Sequence, residues 1–272
     1  GSVVVAQYFG MKSDKDLEES VHTAILLGLI SGLILVVVGL LLAEPMLALM
    51  GTTPDLIDQA VLYMRIIFAG MPAIIVYDFG AGILRAVGDT RRPLLYLSLG
   101  GVVNVALNLF FVLAFDMGVA GVAIGTVVSQ TLAAFLVVRC LVKTEASYGI
   151  RLRRLRIVKA KLIRILRIGI PTGVQGAVFS ISNVLIQSAI NSFDSSTIVG
   201  GNTASVNIEN FVYTAMNAVY QGSLTFTSQN VGAHNVKRIV PILWWSSLCV
   251  TAVGLLLGVT AVVFGRAARH LL

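Results

Sequence analysis

The sequence predicts an all-α integral membrane protein, a polytopic helical bundle, and three observations carry that expectation. The chain is 272 residues long, 57% hydrophobic and only 12% charged, roughly half the charge of a soluble domain. Long apolar runs recur along it, each reaching roughly the 20 residues needed to cross a hydrocarbon core. Seventeen of the twenty Lys and Arg residues fall in every second gap between those runs. That alternation marks a chain that crosses a bilayer repeatedly with its basic loops on one side.

Taken in order, residues 1–10 are too short to cross and read as the end of a helix begun upstream. The first full span, 17–42, carries Gly28 and Gly32 four residues apart, a seam for close helix packing. The second, 57–86, contains Pro72, expected to kink it, and Asp78 near its basic end. Arg85 follows seven residues on and on the same face, so Asp78 reads first as half of a structural ion pair. The third span, 94–115, bears Ser98, Gly101, Asn104 and Asn108 at helical spacing. The fourth, 118–142, repeats the small-residue seam at Gly121 and Gly125. A basic linker, 143–162, leads to the fifth span, 163–192, with Pro171 near its start. The sixth, 203–230, carries the longest series of polar residues. The seventh, 239–264, has Pro241 near its start and another small-residue pair at Gly254 and Gly258.

The basic gaps hold Lys12 and Lys15, then Arg85, Arg91 and Arg92, then a run from Arg139 to Arg167, then Lys237 and Arg238. The gaps between them hold Glu44, Asp55, Asp58, Asp116 and Asp194, and only Arg65, Arg266 and Arg269 fall on that half. The basic loops are therefore expected in the cytoplasm of a multi-pass protein of the cell membrane, a bacterial plasma membrane. The net charge of +7 is not read as a nucleic-acid footprint. Its centre (Arg151, Arg153, Arg154, Arg156, Lys159, Lys161, Arg164 and Arg167) lies between two spans, where it orients the chain and can touch anionic lipid. Cys140 and Cys249 lie in apolar spans; His22, His234 and His270 lie near membrane edges, far apart in sequence. That pattern suggests no metal site and no Ser/His pair, so neither an enzyme nor a resident cofactor is expected.

A faint repeat accompanies this alternation. Ala6-Gln7-Tyr8-Phe9-Gly10 lines up with Ser228-Gln229-Asn230-Val231-Gly232 at an offset of 222, and Lys15 and Gly32 then meet Lys237 and Gly254. Six spans separate the copies. Six is even, so both run the same way through the membrane and are related by an axis along its normal. The whole protein is thus expected to have 12 helices in two six-helix bundles related by a pseudo-two-fold. This chain would hold the end of helix 2 through helix 9: the N-terminal bundle over 1–142, the linker over 143–162 and the start of the C-terminal bundle over 163–272.

Polar side chains at helical spacing within spans mark either a protein seam or a watery cavity. In 203–230, Thr203, Asn207, Asn210, Thr214, Asn217, Gln221, Thr225 and Ser228 recur at intervals of three or four and share one face. Glu209, Tyr213 and Tyr220 widen it. Span 163–192 adds Thr172, Gln175, Gly176, Ser180, Asn183, Gln187 and Asn191. Interhelical glue takes one or two amides per helix; two adjacent helices polar along most of their length favour a cavity. Asn104, Asn108, Gln175, Asn183, Gln187, Asn207, Asn210, Tyr213, Asn217 and Gln221 are the candidates to line it. Glu209 lies roughly 9 Å deep at 1.5 Å per residue, with no cation near it in sequence. It and Asp78 are the candidates for cation coupling.

Gly82-Ile83-Leu84-Arg85-Ala86-Val87-Gly88-Asp89-Thr90-Arg91-Arg92-Pro93 resembles the signature after the fourth helix of the multidrug and toxic compound extrusion (MATE) transporters. Asn104 to Asn108, the stretch 118–126 with Gln130, Ile168-Gly169-Ile170-Pro171 and both copies of the repeat are similar to the same family. The resemblance covers essentially the whole chain. It implies a secondary active transporter that exports drugs or other organic, often cationic, compounds in exchange for H⁺ or Na⁺ by alternating access. Small organic substrates, a monomeric state when complete, and no transport by these 272 residues alone are the further expectations. Two positions depart from the family's patterns: a glutamate eight residues after the seventh helix's proline is Phe179 here, and an Asn-x-x-x-Asp of the fifth helix reads Asn104 to Asn108. The expected cation carrier shifts accordingly to Glu209 or to a helix before residue 1. A lipid-linked precursor flippase or polysaccharide exporter of the same superfamily is the alternative, but it calls for a cationic cavity, and here the basic residues are in loops.

Overall fold

The protein is seen in a computed structural model that describes residues 1–49, 54–191 and 196–269, with side chains at 1–48, 57–190 and 201–263. The side chains of Asp55, Asn191, Arg266 and Arg269, and residues Asp194 and His270, lie outside the described residues. Eight α-helices account for nearly all of the described chain: α1 (Ser2–Gly10), α2 (Asp14–Leu49), α3 (Pro54–Ala86), α4 (Arg91–Leu109), α5 (Gly118–Lys143), α6 (Lys159–Asn191), α7 (Ser196–Gly232) and α8 (Ile239–Arg269). A π-helical turn, Phe110–Ala114, extends α4. No strand occurs among the described residues, and the all-α class holds.

Among the described residues six helices, α2 to α6 and α8, are long and apolar enough to cross a membrane. The span expected at 203–230 does fold as a helix, α7, of 37 residues, but its polar stripe keeps composition from marking it. Several helices also overrun the apolar runs, because hydrophobicity alone does not set where a helix ends. As a result α6 begins at Lys159, and Pro171 sits about three turns inside it rather than near its start. Likewise α2 continues through Pro45 to Leu49.

The chain divides into two compact units, Gly1–Ile165 and Leu166–Leu272. In the first, α2 packs along α3, α3 along α5, α5 along α4, and α1 fits against α2 and α3. Its core gathers at the end of the unit that carries the basic loops: Val4 and Val5 of α1, Val21 and Ala24 of α2, Ile83 and Leu84 of α3, Val137 and Leu141 of α5. The other half of α2, and α4 with its π-helical turn, expose Leu33, Leu41, Val102 and Leu113, as hydrocarbon-facing helices should. The small-residue seams appear where expected. A side chain on Gly32 would come within 2.6 Å of Pro72 Cα, and one on Gly28 within 3.1 Å of the Phe79 ring. In the second unit α7 packs on α8. There Gly254 faces Met216 Sδ at 3.4 Å, while nothing lies within 4 Å of Gly258, so that seam stops short among the described residues.

The internal repeat extends to backbone geometry. After α1, Lys12 takes a positive φ of 56°, its N–H donates to Phe9 O (3.1 Å), and Ser13 N–H donates to Tyr8 O (3.3 Å). After α7, His234 takes φ 54°, its N–H donates to Val231 O (3.2 Å), and Asn235 N–H donates to Asn230 O (2.9 Å). Each pair is separated by the offset found in the sequence. Both are helix ends closed by a left-handed residue.

Candidate functional site

Polar side chains on the membrane-spanning helices form two sets, one in each unit. In the first unit, α4 approaches α5 closely because Gly121 and Gly125 stand at the contact. A side chain on Gly121 would meet Phe111 Cβ at 2.8 Å, and one on Gly125 would overlap Asn108 Oδ1. That approach brings Asn104 Nδ2 to Thr126 Oγ1 (3.2 Å) and Ser129 Oγ (3.3 Å), while Asn108 Nδ2 donates to Asn104 Oδ1 (3.1 Å). The two hydroxyls donate onward to the carbonyls of Val122 (2.9 Å) and Thr126 (2.8 Å). Asn108 Oδ1 is buried and accepts no hydrogen bond among the described residues. Asn104, Thr126, Ser129 and Gln130 line a cavity of about 250 Å³.

The π-helical turn begins two residues after Asn108, and there the rings of Phe110, Phe111 and Phe115 cluster with centroids 5.2 to 6.3 Å apart. Such a turn interrupts the regular ladder and re-aims side chains. The resulting site offers amides and hydroxyls but no charge of its own. The sequence pointed to Asn104 and Asn108, which the fold brings together, but passed over Ser129. The available signal was Thr126, Ser129 and Gln130 recurring at three and four residues on the neighbouring span.

In the second unit, Gln187 Oε1 accepts a hydrogen bond from Asn202 Nδ2 (3.2 Å), which ties α6 to α7. Asn202 was missed because it precedes Thr203 by one position and breaks the helical spacing of the stripe. Gln175 and Asn183 on α6 are exposed, as are Asn207, Asn210, Tyr213 and Gln221 on α7; Asn217 is half-buried. The cleft where α8 meets α7 is lined from α7 by Val219, Gly222, Ser223 and Phe226, which leaves those polar positions open. Glu209 is exposed and enters no ion pair among the described residues.

Asp78 does not form the structural ion pair expected for it. Asp78 and Arg85 are both exposed, and neither enters an ion pair among the described residues. Seven residues of helix separate them by about 10 Å along the axis, so sharing a face does not bring them into contact.

The motif 82–93 makes a corner. Gly88, at φ +94°, closes α3: its N–H donates to Arg85 O (3.0 Å), and Asp89 N–H donates to Leu84 O (2.9 Å). The Asp89 carboxylate accepts the Arg92 backbone N–H (3.2 Å) and pairs with Arg92 Nε (3.3 Å), which opens α4. Tyr77 Oη donates to Pro93 O (3.1 Å), and Leu84 is fully buried. A side chain on Gly82 would make only ordinary contact, 3.5 Å from Ser2 Cβ. The motif thus sets the direction in which α4 leaves α3, and with it the placement of Asn104 and Asn108.

The MatE family model matches residues 1–110 and 171–272. The chain is 30% identical over 254 residues to the probable multidrug resistance protein YoeA of Bacillus subtilis (strain 168), covering 89% of this chain and 54% of that protein. It is also 30% identical over 215 residues to the probable multidrug resistance protein YpnP of the same organism, covering 74% and 44%. Among solved structures it resembles the outward-facing conformation of a multidrug resistance MATE family transporter of the MOP superfamily. The TM-score is 0.88 at 23% identity, over 99% of this chain and 60% of that one. The chain spans about half the length of the curated relatives it matches.

Proposed function

Since this chain belongs to the MatE family, we propose that the whole protein exports small organic compounds across the cell membrane in exchange for H⁺ or Na⁺, by alternating access. The observation that carries this reading is the polar face of α7. Asn207, Asn210, Tyr213 and Gln221 are exposed along a helix whose other side meets α8. Such a face is costly in hydrocarbon, whereas in a watery cavity its uncharged donors and acceptors suit varied organic solutes. In the whole protein the basic loops would lie in the cytoplasm.

Glu209, on the same helix and without an ion-pair partner among the described residues, carries the coupling cation in this reading; Asp78 is the second candidate. A gradient does work only if cation and substrate favour different states. The Asn104–Thr126–Ser129 network contains no carboxylate, so it contributes positioning and solvation rather than charge.

The test uses the full-length protein in proteoliposomes, following a fluorescent organic cation under an imposed pH or Na⁺ gradient. Flux driven by one gradient and lost in Glu209→Gln supports the reading. Gradient-driven flux that survives Glu209→Gln moves the carrier to Asp78 or to a preceding helix. No flux under either gradient, from verified folded protein, sinks the drug-antiport reading in favour of a specific metabolite or a lipid-linked substrate.

A further inference from the structure

The strap between α5 and α6, residues 144–158, is fastened along its length to the polar opening of α2. Ser147 Oγ donates to Asp14, Arg151 N–H donates to His22 Nε2 (3.0 Å), and Val158 N–H donates to Thr23 Oγ1 (3.1 Å). Arg154 pairs with Glu18 (3.5 Å) and Arg156 with Glu19 (2.9 Å). Immediately after the strap, Lys161 pairs with Asp16 (2.5 Å). All these partners lie between residues 14 and 23. From 24 to 43, α2 is apolar apart from one serine and carries no charge, which is one hydrocarbon thickness. The strap therefore lies where the apolar core of the bilayer gives way to headgroups.

What the fastening leaves over is specific. Leu152 and Ile157 are 66% and 42% exposed. The side chains of Arg151 and Arg153 are exposed and enter no ion pair among the described residues. A cleft of about 500 Å³ opens beside Arg153, lined also by Lys15, Glu18, Glu19 and His22. Both glutamates there are already paired with arginine, so Lys15 and Arg153 set the sign of what can enter. Aliphatic side chains flanked by unpaired guanidinium groups suit the headgroup boundary: the former insert among acyl chains while the latter take phosphate oxygens two at a time.

We propose that Arg151, Leu152, Arg153 and Ile157 form a docking surface for the phosphate of anionic phospholipid headgroups. The proposal rests on the membrane-spanning character of the chain and not on the transport reading, so its test leaves transport aside. Native mass spectrometry of the full-length protein, released from mixed micelles, should show phosphatidylglycerol retained several-fold over phosphatidylcholine of equal chain length. Arg151→Gln with Arg153→Gln should weaken retention on the order of fivefold per arginine, and Leu152→Asn should weaken it further. Lys237→Gln with Arg238→Gln, equal in charge but in another loop, should leave it unchanged. Equal retention of the two lipids by the unaltered protein overturns the proposal, and that readout needs no variant to fold. It is also overturned if the Lys237/Arg238 variant loses as much lipid, or if millimolar inorganic phosphate displaces the phosphatidylglycerol, which would mark a site for soluble anions.

Discussion

Single atoms decide whether the first unit closes. Gly32 lets α2 pass over Pro72 where even one added methyl would sit 2.6 Å from a backbone carbon. Overpacking of this kind costs about 1–3 kcal/mol, so Gly32→Ala should lower the thermal midpoint of the full-length protein. His234 presents the opposite case. It holds a left-handed conformation at φ 54°, which strains a side-chain-bearing residue and suits glycine. His234→Gly should therefore stabilise by about 1 kcal/mol, read in the same unfolding experiment; an unchanged midpoint would mean the turn is held by something besides its local conformation. Asn104 and Asn108 were legible as a pair because helical spacing alone puts them on one face. Their partners Thr126 and Ser129 were not, because which neighbouring helix faces them is a tertiary matter.

At the scale of elements, the strap shows how unequal its fastenings are. The Arg154–Glu18 and Arg156–Glu19 pairs keep their arginines 64% and 69% exposed, so water and salt screen each to below about 1 kcal/mol. Thr23 is fully buried and accepts the Val158 N–H. Replacing it with valine keeps the shape and strands a donor, costing about 1–3 kcal/mol. Thermal unfolding should thus separate a clearly destabilised Thr23→Val from nearly neutral Arg154→Gln and Arg156→Gln. A reversed order would mean that charge rather than backbone bonding secures the strap. Apolarity located the helices but misjudged their ends: α6 begins before its apolar run because its first turns, with Lys161 and Arg164, bond to Asp16, Gln7 and Tyr8.

For the whole molecule, the alternation of basic and acidic gaps makes a statement about sidedness. With every native cysteine, Cys140 and Cys249 included, replaced by serine, single cysteines at Glu145 and Asp58 should respond oppositely to an impermeant maleimide applied to intact cells. Glu145→Cys should stay unlabelled and Asp58→Cys should react, as basic loops held inside require. The reverse pattern would invert the topology and place the polar face of α7 in the opposite frame.

The sequence by itself determined the class, the number and order of the helices, the repeat and the family, because each depends on composition or on spacing along the chain. Hydrophobic length, charge alternation and the 82–93 signature are read along the chain, and the bilayer imposes the first two on every segment separately. Tertiary structure alone decided that Ser129 and Asn202 complete the polar sets, and that the linker is a fastened strap with two arginines left over. Those are questions of which face meets which neighbour. Within a membrane the hydrophobic effect gives little help there, since lipid is as apolar as leucine, and close packing at glycines and a few hydrogen bonds choose instead.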